Sequence, residues 1–293
     1  MPSLRHHVLV QVIPRLRHAS EVDDPDRVRR DLLAAQQQAD PSAPRRVAAA
    51  LDVRPVERGG LPCFEVTARG ASPDRTVVYL HGGGYVAGLD RQHWHYAARL
   101  VRGLGVRVVL PDYPLAPTHT WRDSLAPVAD LVQQAGATSP AGVVLMGDSA
   151  GGGLAVAVAQ ELVRRGGSPL THLVLFSPFV DVTGDTPGTE QMRQADPWLK
   201  LTKVRLYGGW WSDGDPADPH ASPLLGDLAG LPPLLVLCGT RDLLLPQVRE
   251  LVHRVRAAGG EVDYVEAPGL LHVYPLLPVP EARAAWRRVR AFL

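Results

Sequence analysis

A serine between two glycines is the clearest chemical feature of this sequence. Gly147, Ser149 and Gly151 form the pattern Gly-x-Ser-x-Gly, directly after the apolar run VVLM and directly before an alanine-rich stretch. In this strand–turn–helix setting the pattern is typical of a sharp turn that exposes a nucleophilic hydroxyl above a sheet. A glycine-rich helix start could bind phosphate instead. However, no Walker lysine accompanies it, and no G-x-G-x-x-G follows the first strand. The sequence therefore predicts Ser149 as a nucleophile.

A second glycine cluster, His81-Gly82-Gly83-Gly84, follows the apolar run TVVYL. A serine that attacks a carbonyl generates an oxyanion, and each backbone N–H directed at that charge contributes roughly 3 kcal/mol. Glycines allow the backbone to approach closely, because no side chain intervenes. The cluster therefore predicts an oxyanion hole formed by the amides of Gly83, Gly84 and Ala150, the residue after the nucleophile. His81 is expected to brace the loop rather than act as a base.

An acid and a base should follow the serine in that order along the chain. Asp242 follows the late apolar run LLVLCGTR, and His272 follows the last strand, 262–267, after a predicted Pro-Gly turn. Asp227 precedes its strand and His253 lies inside a predicted helix, so neither is favoured. We expect His272 to take the serine proton. We expect Asp242 to orient the imidazole and to stabilise the imidazolium.

Strands and helices alternate around these residues. Apolar, β-branched runs predict strands at 76–80, 106–111, 142–146, 172–176, 234–238 and 262–267. Helical stretches lie between and after them, at about 92–104, 123–136, 150–165, 246–258 and 280–292. This alternation predicts a parallel sheet with helices on both faces. Two further strands around Gly59 and Gly60 predict an antiparallel edge. The expected fold class is therefore α/β, with a mostly parallel sheet of eight strands.

Two segments interrupt this alternation. Residues 1–50 are helical and polar, without a strand signal, and residues 182–222 are too long for a plain loop. We expect both to form a helical cap over the strand ends, with residues 51–293 as the catalytic domain and about 182–222 as an insertion in it. The substrate pocket is expected to use Tyr85, Leu206, Tyr207, Trp210 and Trp211. Packing within the cap is an equally good interpretation of each of the four cap residues.

Composition restricts the remaining classes. The chain is 45% hydrophobic with a formal net charge of +1, which does not favour a nucleic-acid partner. Two cysteines, the absence of a signal-peptide pattern and the absence of a membrane-length apolar run indicate a cytoplasmic protein. His93 and His95 are close in sequence, but no converging carboxylate or cysteine is evident, so a metal site is not expected. No organic cofactor is implied.

The chain resembles the bacterial hormone-sensitive-lipase group (family IV) of α/β-hydrolases from about residue 50 to its end. The resemblance rests on HGGG (81–84), DYPLAP (112–117), GDSAGG (147–152), SPFVDVT (177–183), GTRDLLL (239–245) and GLLHVY (269–274). It implies the same three catalytic residues, the same oxyanion hole and a cap in the same two segments. The sequence departs from the group at Pro114 and Thr118, which replace an arginine and a glutamate. Leu243 replaces a proline. These changes affect supporting contacts around the site.

The combined interpretation is a serine carboxylesterase that cleaves short acyl esters through an acyl-enzyme. A lactone, an N-acetyl amide or an N-formyl amide would serve the same nucleophile, and the group includes carboxylesterases, acetyl-hydrolases and ε-lactone hydrolases. A small-molecule receptor on this scaffold is a distant alternative, because such receptors lack the histidine that is present here as His272. The chain is expected to be a monomer or a homodimer.

Overall fold

Within residues 2–16 and 20–293, which this computed structural model describes, eight strands form a single sheet. Its spatial order is β1-β2-β4-β3-β5-β6-β7-β8. β2 is antiparallel to β1 and β4, and all other neighbours are parallel. The predicted sheet with its antiparallel edge is therefore confirmed. The strands are β1 Asp52–Arg58, β2 Leu61–Thr67, β3 Thr76–Leu80, β4 Arg107–Pro111, β5 Val143–Asp148, β6 Leu170–Phe176, β7 Leu234–Arg241 and β8 Val262–Leu271.

Helices precede the sheet, connect its parallel strands and interrupt the chain after β6. They are α1 Leu4–Leu16, α2 Pro25–Gln38, α3 Arg45–Ala48, α4 Arg91–Leu104, α5 Trp121–Ala137, α6 Ser149–Arg165, α7 Thr189–Met192, α8 Leu201–Trp211, α9 Leu245–Ala257 and α10 Glu281–Phe292. The five helices predicted between and after the parallel strands are all present. The insertion after β6 is helical, as expected, and contains α7 and α8.

Both faces of the sheet are buried. Every residue of β3 and β5 is buried, because these central strands read as continuous apolar runs with helices on either side. Apolar residues of α5, α6 and α9 pack on one face. Those of α4 and α10 pack on the other, together with Val10 and Ile13 of α1. This two-sided packing holds the carboxyl ends of β5, β7 and β8 at one edge, where parallel α/β sheets bind their ligands.

Strand β8 is longer than predicted. The sequence suggests that it ends at 267 and that Pro268 and Gly269 form a turn, but β8 continues to Leu271. The pairing with β7 shifts register between Gly239 and Arg241, which accommodates Gly269 at φ +73°. The Gly269 N–H donates to Thr240 Oγ1 at 2.7 Å. His272 therefore follows directly from a paired strand rather than from a free turn.

The N-terminal segment has two different packing partners. α1 lies near the end of β8, where the Leu271 N–H donates to the buried imidazole of His6 at 3.1 Å. After α1, the Val22 N–H donates to Thr202 Oγ1 of α8 at 3.1 Å. Residues 1 and 17–19 of the expected cap segment lie outside the described residues. Of the helices in the described part of the chain, none has the length and apolar character needed to cross a membrane.

The start of α6 packs directly on the end of β3. A Cβ at Gly151 would lie 2.1 Å from the Leu80 carbonyl oxygen, whereas a Cβ at Gly209 in α8 would meet open space. We expect Gly151→Ala to lower the free energy of unfolding by about 1–3 kcal/mol through overpacking. Gly209→Ala should raise it by up to about 1 kcal/mol, because alanine favours helix. Urea unfolding of both variants tests this contrast, and equal effects would contradict it.

Candidate active site

Ser149 lies at the junction between β5 and α6. It has a φ of +50°, in the left-handed region that a residue with a side chain rarely adopts. Gly147 permits this sharp turn, because a Cβ there would lie 2.3 Å from the Gly151 carbonyl oxygen. The strained conformation is held by packing on both sides, as is common at functional sites. It places the serine hydroxyl at the carboxyl edge of the sheet.

Three residues that are distant in sequence form one hydrogen-bonded chain at this edge. Ser149 Oγ is 2.9 Å from His272 Nε2, and His272 Nδ1 is 3.0 Å from Asp242 Oδ2. They come from the ends of β5, β7 and β8, which the parallel sheet brings together. The three exposed fractions are 9%, 2% and 0% for Ser149, His272 and Asp242. The arrangement can transfer a proton from the hydroxyl to the imidazole while the carboxylate faces the other ring nitrogen.

Asp242 and His272 each stabilise the ionised form of the other. Burial alone would lower the pKa of His272, but the neighbouring Asp242 carboxylate raises it above its ordinary value. Burial would conversely raise the pKa of Asp242, but His272 and a hydrogen bond from Ser177 lower it. The Leu244 N–H also donates to Asp242 Oδ1 at 2.9 Å. Asp242 is thus held as an anion that can stabilise an imidazolium.

Ser177 holds the histidine loop, and the sequence analysis assigned it no role. The Val273 N–H, next to His272, donates to Ser177 Oγ at 3.0 Å. Both Ser177 and Val273 have positive φ, at +46° and +45°. The only available signal was the position of Ser177 at the start of the SPFVDVT motif.

Asp196, in the insertion, is a second buried carboxylate near Asp242. Burial first, and then the charge of Asp242, raise its pKa to about 6. Its Oδ1 accepts the N–H groups of Trp198 and Leu199 at 2.7 and 3.0 Å, and its Oδ2 accepts the Leu243 N–H at 2.8 Å. Leu243 stands where the related motif has a proline, which lacks this donor. The departure from the motif therefore supplies a contact between the insertion and the acid loop.

The glycines of the loop after β3 lie beside the nucleophile. Gly83 and Gly84 have φ values of +128° and +63°, and both line the same cavity as Ser149. A Cβ at Gly83 would lie 2.4 Å from the Ala87 carbonyl oxygen, so alanine cannot replace it without a shift. Ala150 follows Ser149 in the first turn of α6, where backbone N–H groups lack helical partners. These positions suit amides that stabilise an oxyanion.

His81 lies behind this loop and is fully buried. Its ring stacks on Tyr113 at 4.2 Å, and the Tyr113 hydroxyl donates to the His81 carbonyl oxygen at 2.6 Å. Burial lowers the pKa of His81 to about 4, so the ring is neutral at ordinary pH. A neutral ring packed away from the cavity is what a bracing residue requires.

A buried pair of side chains, Asp148 and His93, supports the glycine loop after β3. Asp148 Oδ1 accepts the Gly82 N–H at 3.1 Å and the Tyr79 hydroxyl at 2.7 Å. His93 lies between Asp148 and Asp90, with ring nitrogens 3.5 and 3.1 Å from their Oδ1 atoms. Burial would lower the pKa of His93, but Asp148 and then Asp90 raise it to about 9. This pKa favours the protonated ring at neutral pH, and the neighbouring His93 in turn opposes the effect of burial and lowers the pKa of Asp148, the carboxyl group to which the loop is bonded.

Carboxylates thus converge on His93, contrary to the sequence-based interpretation of the HWH motif. The sequence could not reveal this convergence, because it depends on the packing of α4 against the end of β5, which no local pattern indicates. Among residues 2–16 and 20–293, no group of three or more His, Cys, Asp or Glu side chains is arranged to hold a metal ion.

A cavity of about 280 Å³ opens beside Ser149 and His272. A large part of its wall comes from the insertion. Trp198 contacts the His272 ring edge-to-face at 5.5 Å, a contact that the sequence analysis missed. The lining residues from the insertion are Trp198, Leu199, Lys200, Lys203, Val204 and Tyr207.

Of the five predicted pocket residues, only Tyr207 lines this cavity. Tyr85 and Trp211 stack on each other at 4.1 Å in the core, and each is 1% exposed. Trp210 stacks on Tyr207 with ring centroids 5.7 Å apart but does not line the cavity, and Leu206 does not line it either. The predictions for Tyr85, Leu206, Trp210 and Trp211 are therefore corrected. Helix orientation, which the local sequence did not specify, decides which residues face the ligand.

Comparisons with known proteins identify similar sequences and structures. A family model described as alpha/beta hydrolase fold matches residues 77–276. An acetyl-hydrolase of Streptomyces hygroscopicus is 35% identical over 242 residues, which cover 79% of each chain. An esterase of Acinetobacter venetianus is 27% identical over 83% of this chain and 82% of its own. The crystal structure of an esterase from the bacterial hormone-sensitive lipase family superposes with a TM-score of 0.80 and 30% identity, covering 100% of this chain and 98% of its own.

The ion pair of His93 makes a pH-dependent contribution to stability. Because the folded pKa of about 9 exceeds the ordinary value of 6.5, the contribution is full below pH 6.5 and is lost as the pH rises through 9. It amounts to about 3 kcal/mol. We expect the free energy of unfolding of His93→Gln to fall less between pH 6.5 and 9.5 than that of the unchanged protein, as measured by urea unfolding. His253→Gln, at an exposed site, is the control. Equal pH slopes for His93→Gln and the unchanged protein would contradict this assignment.

Proposed function

This chain belongs to the α/β-hydrolase family and to its bacterial hormone-sensitive-lipase group, and on that premise we propose that it is a serine carboxylesterase for short acyl esters. Its relatives are named esterase, carboxylesterase and carboxylic ester hydrolase, which identifies this protein as a carboxylic ester hydrolase. The observation that carries the finer proposal is the hydrogen-bonded chain from Ser149 Oγ through His272 to Asp242. These hydrogen-bonded residues lie beside the glycine loop, at a cavity large enough for a small ester.

In the first half of the reaction, Ser149 Oγ attacks the ester carbonyl carbon. His272 Nε2 takes the hydroxyl proton as the new C–O bond forms, and Asp242 stabilises the resulting imidazolium. The carbonyl oxygen becomes an oxyanion that accepts hydrogen bonds from the amides of Gly83, Gly84 and Ala150. When the tetrahedral intermediate collapses, His272 returns the proton to the departing alcohol oxygen. An acyl group remains on Ser149.

In the second half, a water molecule replaces the alcohol. His272 removes a proton from this water, and the hydroxide attacks the acyl carbonyl with the same oxyanion stabilisation. Collapse of the second intermediate releases the carboxylic acid and returns the proton to Ser149. Each residue performs the same task twice, so the site requires no metal ion or organic cofactor for this sequence of steps.

Cavity size supports a preference for short acyl chains. A volume of about 280 Å³ lies at the small end of the roughly 300–1,000 Å³ that ligand pockets usually enclose. The insertion of the proposed cap contributes to this small volume, because Tyr207 lines the cavity and packs over Gly84. The name of the Streptomyces relative, acetyl-hydrolase, agrees with a small acyl group.

We expect Ser149→Ala to lower the hydrolysis of p-nitrophenyl acetate and butyrate by at least about 10³-fold, because the nucleophile is removed. The unchanged protein should cleave these esters faster than p-nitrophenyl palmitate. Ser168→Ala, at an exposed loop serine, is the matched control and should retain full activity.

Stoichiometric labelling by a fluorophosphonate should occur in the unchanged protein and in Ser168→Ala but not in Ser149→Ala. Activity that survives in Ser149→Ala would contradict the proposal. Inactivity of a folded, labelled enzyme on esters, with turnover of the matched N-acetyl amide or lactone, would replace the ester preference with one of those substrates.

The raised pKa of His272 predicts the pH profile. Since the reaction needs neutral His272, kcat/KM should rise with pH, with a midpoint above the ordinary histidine value of about 6.5. Asp242→Asn removes the anion that raises this pKa. It should lower kcat by about 10³–10⁴-fold and move the midpoint to lower pH. Asp227→Asn, the exposed acid on the other side of β7, is the control. An unchanged midpoint in Asp242→Asn would exclude Asp242 as the partner of His272.

A further inference from the structure

A cavity between α2 and the loops that follow β3 and β4, called the α2 cavity below, adjoins the catalytic cavity. It encloses about 430 Å³, which exceeds the volume of the catalytic cavity and lies in the range of ordinary ligand pockets. Ala87 and Gly88 line both cavities, so the two share this part of their walls. The proposed reaction does not use the α2 cavity.

Asp112 gives this cavity a carboxylate without a cationic partner. Within residues 2–16 and 20–293, its side chain has neither a hydrogen bond nor an ion pair. A Cβ at Gly88 would lie 3.8 Å from Asp112 Oδ1, so the carboxylate is close to the shared wall. Burial raises the pKa of Asp112, and no neighbouring charge in the described part of the chain opposes that rise. A cation in the cavity would stabilise the ionised form.

The charge of Asp112 is also uncompensated by the rest of the lining. Pro114 and Thr118, which replace an arginine and a glutamate of the related motif, both line the α2 cavity. The arginine would place a cation two residues from Asp112, and the proline does not. Of the described lining residues, the only other one that titrates near neutral pH is His119, and its Nδ1 lies 3.8 Å from Asp123.

Gln36 of α2 adds a second oxygen to the wall. Its Nε2 donates to the carbonyl oxygens of Val86 and Ala116, both at 2.8 Å, which fixes the orientation of the side-chain amide. Its Oε1 accepts no hydrogen bond from residues 2–16 or 20–293. The wall thus presents an amide oxygen and a carboxylate as acceptors.

Most of the remaining wall is apolar. It includes Leu32, Ala35, Pro41, Val86, Leu89 and Leu115. An alkylammonium ion matches this combination, because its three N–H groups suit the oxygen acceptors and its hydrocarbon part suits the apolar wall. A metal ion matches it less well. Hard cations bind several oxygen ligands, and no group of three or more His, Cys, Asp or Glu side chains among the described residues is arranged for one.

We propose that the α2 cavity binds a small organic cation, whose ammonium group contacts Asp112 with Gln36 Oε1 as a further acceptor. The hydrocarbon part packs against α2. Two sources share this chemistry: a separate alkylamine, and an ammonium group on the alcohol side of an ester that extends past Ala87 and Gly88. The inference goes beyond the proposed esterase function and does not depend on it, because binding is measured without turnover.

Isothermal titration calorimetry with n-pentylammonium chloride and 1-pentanol tests this proposal. The two probes differ mainly in charge, so the ratio of their association constants isolates the electrostatic contribution. We expect pentylammonium to bind at least about fivefold more tightly than pentanol to the unchanged protein. The ratio should fall as NaCl is raised, because salt screens the contact.

Asp112→Asn should lower the ratio by about fivefold, because it removes the charge and keeps the shape of the side chain. Pro114→Arg should also lower it, since it supplies the motif's guanidinium beside Asp112. Asp227→Asn removes an exposed acid outside the lining of the α2 cavity and is the control. It should leave the ratio unchanged.

A pair of adjacent substitutions on α2 locates the binding. Ala35→Trp keeps Asp112 and fills part of the cavity, so it should weaken the binding of both probes. Ala34→Trp, at the preceding residue and outside the lining, is the matched control. Both alanines are exposed, so both variants should fold.

Two esters distinguish the sources of the cation. 5-(Dimethylamino)pentyl acetate is cationic at neutral pH, and 6-methylheptyl acetate has a CH group in place of its nitrogen. If the cation belongs to the substrate, kcat/KM should favour the charged ester, and Asp112→Asn should remove the preference. If it is a separate molecule, Asp112→Asn should leave the ratio of kcat/KM unchanged while it weakens pentylammonium binding.

A ratio of association constants at or below one would overturn the inference, as would a ratio that Asp112→Asn leaves unchanged. Equal effects of Ala35→Trp and Ala34→Trp on pentylammonium binding would also overturn it. If the folded protein binds pentylammonium as expected but cleaves no ester, the esterase function fails and this inference stands. If esters are cleaved in a Ser149-dependent manner without this binding, the reverse holds.

Discussion

Close packing between the start of α6 and the ends of β3 and β5 is the constraint on which the rest of the site depends. Gly151 touches the Leu80 carbonyl oxygen, and Gly147 touches the backbone of the first helical turn. A Cβ at Gly151 would lie 2.1 Å from the Leu80 carbonyl oxygen, and one at Gly147 would lie 2.3 Å from the Gly151 carbonyl oxygen, so either change would require the backbone to shift. Ser149 has its left-handed conformation at this contact. The contact also brings Ser149 next to the glycine loop that follows β3, so the proposed nucleophile and the proposed oxyanion hole share one junction.

Buried charges then fix the groups around this junction. His93 lowers the pKa of the buried Asp148, whose carboxylate accepts the Gly82 N–H at the base of the glycine loop after β3. On the other side of Ser149, His272 Nδ1 forms a hydrogen bond with the Asp242 carboxylate. Breaking a buried ion pair is strongly destabilising, because the remaining charge is left without a partner. Each pair therefore holds its loop in place. This rigidity is what preorganised electrostatic catalysis requires.

The insertion connects the same framework to substrate selection. Asp196 accepts N–H groups from Leu243 on the acid loop and from Trp198 and Leu199 on the cavity wall, so the wall is joined to the catalytic acid by one carboxylate. Trp198 in turn contacts His272. From there α8 extends along the cavity, which Lys203, Val204 and Tyr207 line. The hydrogen-bonded residues and the cavity wall are thus positioned by one continuous set of contacts.

Local sequence patterns were sufficient for the sheet, its flanking helices and the three residues of the hydrogen-bonded chain. Strand periodicity, the glycine pattern around Ser149 and the order of Asp242 and His272 along the chain are all local or topological signals. The extension of β8 past Gly269 was missed because it depends on pairing with β7. The pocket residues were mostly wrong for a related reason. Only tertiary packing decides which side chains meet the cavity, so Tyr85 and Trp211 pack on each other while Trp198, Lys200 and Lys203 line the wall. The sequence by itself determined which chemical groups were available and in what order. The tertiary structure decided which of them face the substrate, because that orientation depends on contacts between segments far apart in the chain.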